Sequence, residues 1–193
     1  MTRIAMLGFA LALLALAAGP AKADEQPKSV IAMASQTASA WSPVDFNFVA
    51  QANLGAPFQI ASGRIAEKKA TNPTIRDYAH LMVVSHKPVV DALDAILQRE
   101  RVTAPPNTLL QGAYDAMIAS LKADRAATFG RDYVEGQLDY QKGNAALFRY
   151  EIQNGTDPDL KEFAQHTFPK IEDHLQRAFE LAKSAEIARA PSQ

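Results

Sequence analysis

The chain has 193 residues, 48% of them hydrophobic and 21% charged, with a formal net charge of −1 and no cysteine. Without thiols there are no disulfides, thiolate metal sites, cysteine nucleophiles or lipid-modified cysteine. No basic run or patch is visible either, which argues against a nucleic-acid partner.

The first residues read as an export signal. Arg3 gives a short basic start, an apolar run extends from Ile4 to Ala18, Gly19-Pro20 breaks it, and Ala21-Lys22-Ala23 fits the small-residue cleavage pattern. The run is shorter than the roughly 20 residues of a spanning helix, so an uncleaved anchor is the weaker reading. Cleavage near Ala23 deletes Arg3 and Lys22 and no acid, leaving 18 basic against 21 acidic side chains, a net charge of −3. The expected product is periplasmic or secreted, with no transmembrane segment, and is long enough for one domain with its own core. Residues 24–42 are rich in Ala and Ser, lack a sustained period, and read as a flexible arm or weak helix.

The bundle is expected over 43–184. Ser42-Pro43-Val44-Asp45 supplies a hydroxyl cap, proline at the first helical position and an acid that can reach back to the cap. Trp41 and Phe46 stand at the positions of a hydrophobic staple. The first helix is predicted over about 43–69, with a small face at Ala52, Ala56, Gly63 and Ala66, and Pro57 and Gln59 between them. Arg64, Glu67, Lys68 and Lys69 have the spacing of a solvated face. A second helix follows the Asn72-Pro73 start signal and runs to about Arg99. Its apolar stripe is Ile75, Tyr78, Ala79, Met82, Val83, Val89, Val90, Leu93, Ile96 and Leu97, and His86 falls on it. Residues 102–108 form a break. A short helix (109–122) and a loop (123–128) lead to a third long helix over 129–153, striped by Val134, Leu138, Gln141, Ala145, Phe148 and Ile152. Asn154-Gly155 is a stop signal. The last helix follows Asp157-Pro158, reaches about Ser184 and carries His174 on its stripe; 185–193 is a small, polar tail. No segment alternates as a strand does. The fold class is an all-α antiparallel bundle.

NPTIRDYAH at 72–80 returns as DPDLKEFAQ at 157–165, matched type for type 85 residues later. Such a duplication predicts two similar helical hairpins packed on each other.

Three stretches, FVAQANLGAPFQIASGRIAEKKATNPTIRDYAHLMVVSHKPVVDALDAIL, FGRDYVEGQLDYQKGNAALF and GTDPDLKEFAQHTFPKIEDHLQRAFELA, resemble a family of exported bacterial proteins. Those carry a ferritin-like domain of unknown function and are often labelled outer-membrane proteins. The resemblance covers roughly 43–183. It implies a ferritin-like four-helix bundle with an extra short helix, and no activity. Members commonly have a glutamate in the first long helix, Asp-His in the second, and a histidine in each of the third and fourth. His86 and His174 match. Gln59 stands at the glutamate position, Ser85 at the aspartate, Gln141 at the third-helix histidine, and Gly130 where an acid often follows Phe.

The sharpest chemical reading is a metal site in the core. Di-iron bundles use a glutamate on each of two helices and Glu-x-x-His on the others. Here Val83 and Ile171 precede the histidines by three, and the inward stripes carry no acid. A single Zn, Cu or Ni ion on His86 and His174, with Gln59 and Gln141 as neighbours, is what this set allows. Asp173 lies beside His174 and so projects about 100° away on the helix. The competing reading is a buried hydrogen-bonded network of the same four side chains, which fixes helix register. Bis-histidine haem is a third, without a C-x-x-C-H attachment. His80 and His166 lie off the stripes, and Tyr133 and Tyr140 read as core packing. Hydrolase elbows, phosphate loops and His-Glu-x-x-His do not occur in the sequence. The functional expectation is a non-catalytic exported helical module with no cofactor, acting on an envelope partner. The alternative is a metal-handling protein using His86 and His174.

Overall fold

The computed structural model describes residues 41–187, and side chains as far as 184. The signal at 1–23, most of the arm and the final residues of the tail lie outside the described residues. The five elements among the described residues are helices: α1 (Pro43–Lys69), α2 (Pro73–Glu100), α3 (Thr108–Ala123), α4 (Ala126–Asn154) and α5 (Pro158–Ile187). There is no strand among the described residues.

Three of the four long helices, α1, α2 and α5, begin where their cap chemistry directs; α4 has no side-chain cap. Ser42 Oγ accepts from Asp45 N while Asp45 accepts from Ser42 N at 2.9 Å, so two otherwise unpaired N–H groups satisfy each other's side chains. Asn72 accepts from Thr74 N at 2.8 Å, and Asp157 from Asp159 N and Leu160 N at 3.0 and 2.9 Å. Pro57, Pro88 and Pro169 lie inside helices that continue past them. Trp41 joins the start of α1 to the end of α2, its indole N–H donating to Glu100 at 2.8 Å. The staple is half open: Phe46 is 50% exposed and shares with Trp41 a surface groove floored by residues 102–106.

The closest pairings are α1 with α2 and α4 with α5, the two hairpins that the sequence repeat predicts; α1–α4 and α2–α5 close the square. All four neighbouring pairs run antiparallel. At one end, Asp45 at the start of α1 meets Thr156 before α5, and Arg99 at the end of α2 pairs with Asp159 at 2.5 Å. At the other end, Ala66 and Ala70 share a cluster with Ile75, Phe129 and Ala178. Residues 101–125 therefore carry the chain back along the length of the bundle. The first hairpin closes tightly at Gly63, where a Cβ would lie 2.8 Å from the Ala79 carbonyl and 2.9 Å from Val83. The small face is what permits this approach.

Two expectations need correction. The loop expected at 123–128 shrinks to Asp124-Arg125, because Asp124 accepts from Arg125 N and from Thr128 Oγ1 and so starts α4 early. Lys69 does not belong to a solvated face. Its ammonium donates to the carbonyls of Leu121, Lys122 and Asp124, each at 2.8 Å, closing the C-terminus of α3 from another helix. Gly155 stops α4 as its signal predicts, in extended geometry (φ −61°, ψ 152°) and not in a left-handed cap. The left-handed residue is instead Arg101, after α2, with φ 58°.

Candidate functional site: a polar layer across the core

The apolar core is in two parts. One is built on Phe48, Leu93, Phe148 and Leu160, the other on Ala66, Met82, Phe129 and Tyr133. Between them every long helix contributes buried polar side chains: Gln59 and Ser62 from α1, His86 from α2, Gln137 and Gln141 from α4, and His174 from α5. All of these are at most 4% exposed. Helical periodicity explains the alignment, since each residue continues the apolar stripe of its own helix.

His86 and His174 come together, with ring centroids 5.1 Å apart and planes tilted by 34°. Their hydrogen bonds assign the tautomers. His86 Nδ1 lies 2.9 Å from the Met82 carbonyl, which can only accept, so Nδ1 carries the proton. Ser85 Oγ donates to the Leu81 carbonyl at 2.6 Å and is left to accept from His174 Nε2, 3.1 Å away. Tyr78 donates to the His174 backbone carbonyl at 3.3 Å. Gln141 Nε2 reaches Met82 Sδ at 3.4 Å and Tyr78 at 3.5 Å, the limit of a weak bond. Gln137 Nε2 reaches Ser62 at 3.4 Å.

Both imidazoles are held neutral. Burial lowers His86 to about 4, helped by the Lys170 charge and opposed by the Met82 carbonyl. Burial lowers His174 to about 3, with His86 the next cause. Burial likewise raises the Tyr78 and Tyr133 phenols, so both keep their protons. A cavity of about 10 Å³, room for one water, adjoins His86 between Ala52, Tyr140, Thr167 and Lys170.

The structure thus brings His86 and His174 together and places Gln141 and Gln59 in the same layer. It buries Gln59 completely, with neither amide atom bonded within the protein; Gln141 Oε1 and His174 Nδ1 are also unpaired there. Asp173 turns away to Arg177 at 2.7 Å. No group of three or more His, Cys, Asp or Glu residues converges among the described residues. His80 and His166 are exposed and face Glu67 at 2.7 Å and Glu162 at 3.4 Å. Tyr133 is core, stacked on Phe129; Tyr140 is half-buried beside Phe58. Ser85 is the functional contact that helical periodicity misses, because it lies one step off the stripe. The expectation that no acid faces inward is wrong. Glu151 is fully buried, three residues after Phe148 on the α4 stripe, and Asp45 is fully buried at its cap.

Residues 30–181 match the family described as a domain of unknown function, DUF4142. The chain belongs to this family. Among curated proteins none matches it. A crystal structure of a DUF305 fragment from Deinococcus radiodurans is similar in fold, with a TM-score of 0.66 at 13% identity, covering 75% of this chain and 98% of that one. At that identity the likeness extends to the fold alone. This DUF4142 chain therefore shares a helical architecture with a second domain of undefined role.

Proposed function

We propose that this DUF4142 chain is exported to the periplasm, with cleavage near Ala23, and works there as a non-catalytic helical module of the cell envelope. In this reading it is ferritin-like, and it acts through its surface on an envelope partner or in stress physiology. Two hairpins joined by one long crossover support the ferritin-like part. The observation that carries the non-catalytic reading is the closure of the histidine pair by the chain's own groups, the Met82 carbonyl and the Ser85 hydroxyl. The Ser85 contact ties α2 to α5, and the two contacts together use one nitrogen of each ring for structure.

One observation favours the second reading, a single transition-metal ion on His86 and His174. The tautomers leave a lone pair on His86 Nε2 and on His174 Nδ1, and His174 Nδ1, Gln59 and Gln141 Oε1 are buried without protein partners. Imidazole nitrogens of this kind suit Zn, Cu or Ni.

The test is elemental analysis of mature protein exported to the periplasm and purified without tag or chelator, beside His86→Ala and His174→Ala. Metal-free wild type, with variants that differ only in melting temperature, is expected. Near-stoichiometric metal lost in both variants would replace the first reading with the second. Fractionation of cells expressing the full chain checks the address, and a cytoplasmic, uncleaved product would overturn it.

A further inference from the structure

Asp45 and Glu151 meet where α1 and α5 begin and α4 stops. They are the fully buried carboxyl groups among the described residues. Asp45 receives five donors: Ser42 N and Oγ, Thr156 N and Oγ1, and Asp157 N, at 2.6 to 3.2 Å. Glu151 reaches the same point from the last turn of α4, and neither of its oxygens finds a donor in the protein. Gly155 packs directly on it, because a Cβ there would overlap the Glu151 carboxyl. A carboxyl group with no donors, set against a carboxylate that holds five, is tolerable only when it keeps a proton and donates it in a hydrogen bond to Asp45.

We propose that Asp45 and Glu151 share one proton, and that its loss in alkaline solution opens this end of the bundle. The pair is a pH-sensitive latch on the joint between α1, α4 and α5. The groups around it agree. Asp157 adds negative charge from the turn before α5, and Lys161 on α5 opposes it. From α2, Glu100 faces Asp157 and Asp159, with Arg99 opposing. Burial first, then the hydrogen bond and charge of Asp45, push Glu151 up to about 8. Burial also pushes Asp45 up, but its hydrogen bonds to Thr156, Ser42 and Asp157 N outweigh that and hold it well below the usual carboxylate range. One member is therefore ionised and the other protonated at neutral pH.

The sole tryptophan reports on this joint, because Trp41 is bonded to Glu100 at the same end. Trp41 emission and the urea midpoint of the full chain would be followed from pH 6 to 10 in wild type, Glu151→Gln and Glu100→Gln. Wild type should show an emission change centred near pH 8, and a midpoint that falls from pH 6 and levels off near pH 8. Glu151→Gln should lose this limb, and Glu100→Gln should keep it. The same limb in Glu151→Gln, or its loss in Glu100→Gln, would overturn the proposal. Should Glu151→Gln fail to fold, carboxyl-carbon NMR of ¹³C-glutamate-labelled wild type decides. A Glu151 signal titrating near pH 8 is expected, and one titrating near pH 4.5 overturns the latch.

Discussion

Ser85 shows how much one hydroxyl can carry. It lies between the imidazoles, donates back to the turn before it and accepts from His174 on another helix. Ser85→Ala strands a buried imidazole N–H, so a loss of about 1–3 kcal/mol is expected in urea denaturation. A change under about 0.5 kcal/mol, the size of an ordinary surface substitution, would mean that the hydroxyl does not join α2 to α5. Legibility at this scale was uneven. His86, His174, Gln59 and Gln141 could be found because each interrupts an apolar stripe. Ser85 could not be found from its stripe, because its role depends on a helix 89 positions away; only resemblance marked the position. Glu151 lies on its stripe but is not legible there as a core residue, because an ionised acid has no place in a core while a protonated one does.

Among the elements, the boundaries set by local chemistry were readable and those set at a distance were not. Ser42, Asn72 and Asp157 declare their helices within three residues. The C-terminus of α3 is closed by Lys69, more than 50 positions earlier. The end of α2 offers a direct test. Arg101 sits in left-handed geometry, which costs an L-residue about 1–2 kcal/mol and costs glycine almost nothing. Arg101→Gly should therefore stabilise the protein, by about 0.5–1 kcal/mol once glycine's greater freedom in the unfolded chain is subtracted. Thermal unfolding would show it as a rise in Tm. A fall would mean that the Arg101 side chain contributes more than its backbone costs.

For the whole molecule, the buried groups set a stability optimum. His86 and His174 titrate below their ordinary value of 6.5 in the folded state. The unfolded chain then takes up protons first as pH falls, and stability declines from about pH 6.5 toward about 4. Glu151 works in the opposite sense. Its folded value is about 8 against an ordinary 4.5, so the unfolded chain releases its proton first and stability declines as pH rises between those values. Asp45, lowered in the fold, contributes above its ordinary 3.8 and loses that contribution as pH falls below it. Two histidines outweigh one glutamate below pH 6.5, and Glu151 acts alone above it. The maximum is therefore expected at about pH 6 to 6.5, read from urea midpoints between pH 4 and 9. A maximum above pH 8 would contradict the protonated state of Glu151.

The polar layer also tells the two halves of the chain apart. Because 72–80 and 157–165 are near-copies, the first hairpin could in principle pack against another molecule's first hairpin instead of its own second one. The histidines break that degeneracy. His86 lies 14 residues after Asn72, while His174 lies 17 after Asp157, so Val89 stands where the repeat would place the second imidazole. In an exchanged pairing His86 would face Val89 and lose the partner ring, and Ser85 would lose the His174 N–H that it accepts. Three residues of offset between two histidines thus act as a recognition code, by which a duplicated protein identifies its own other half.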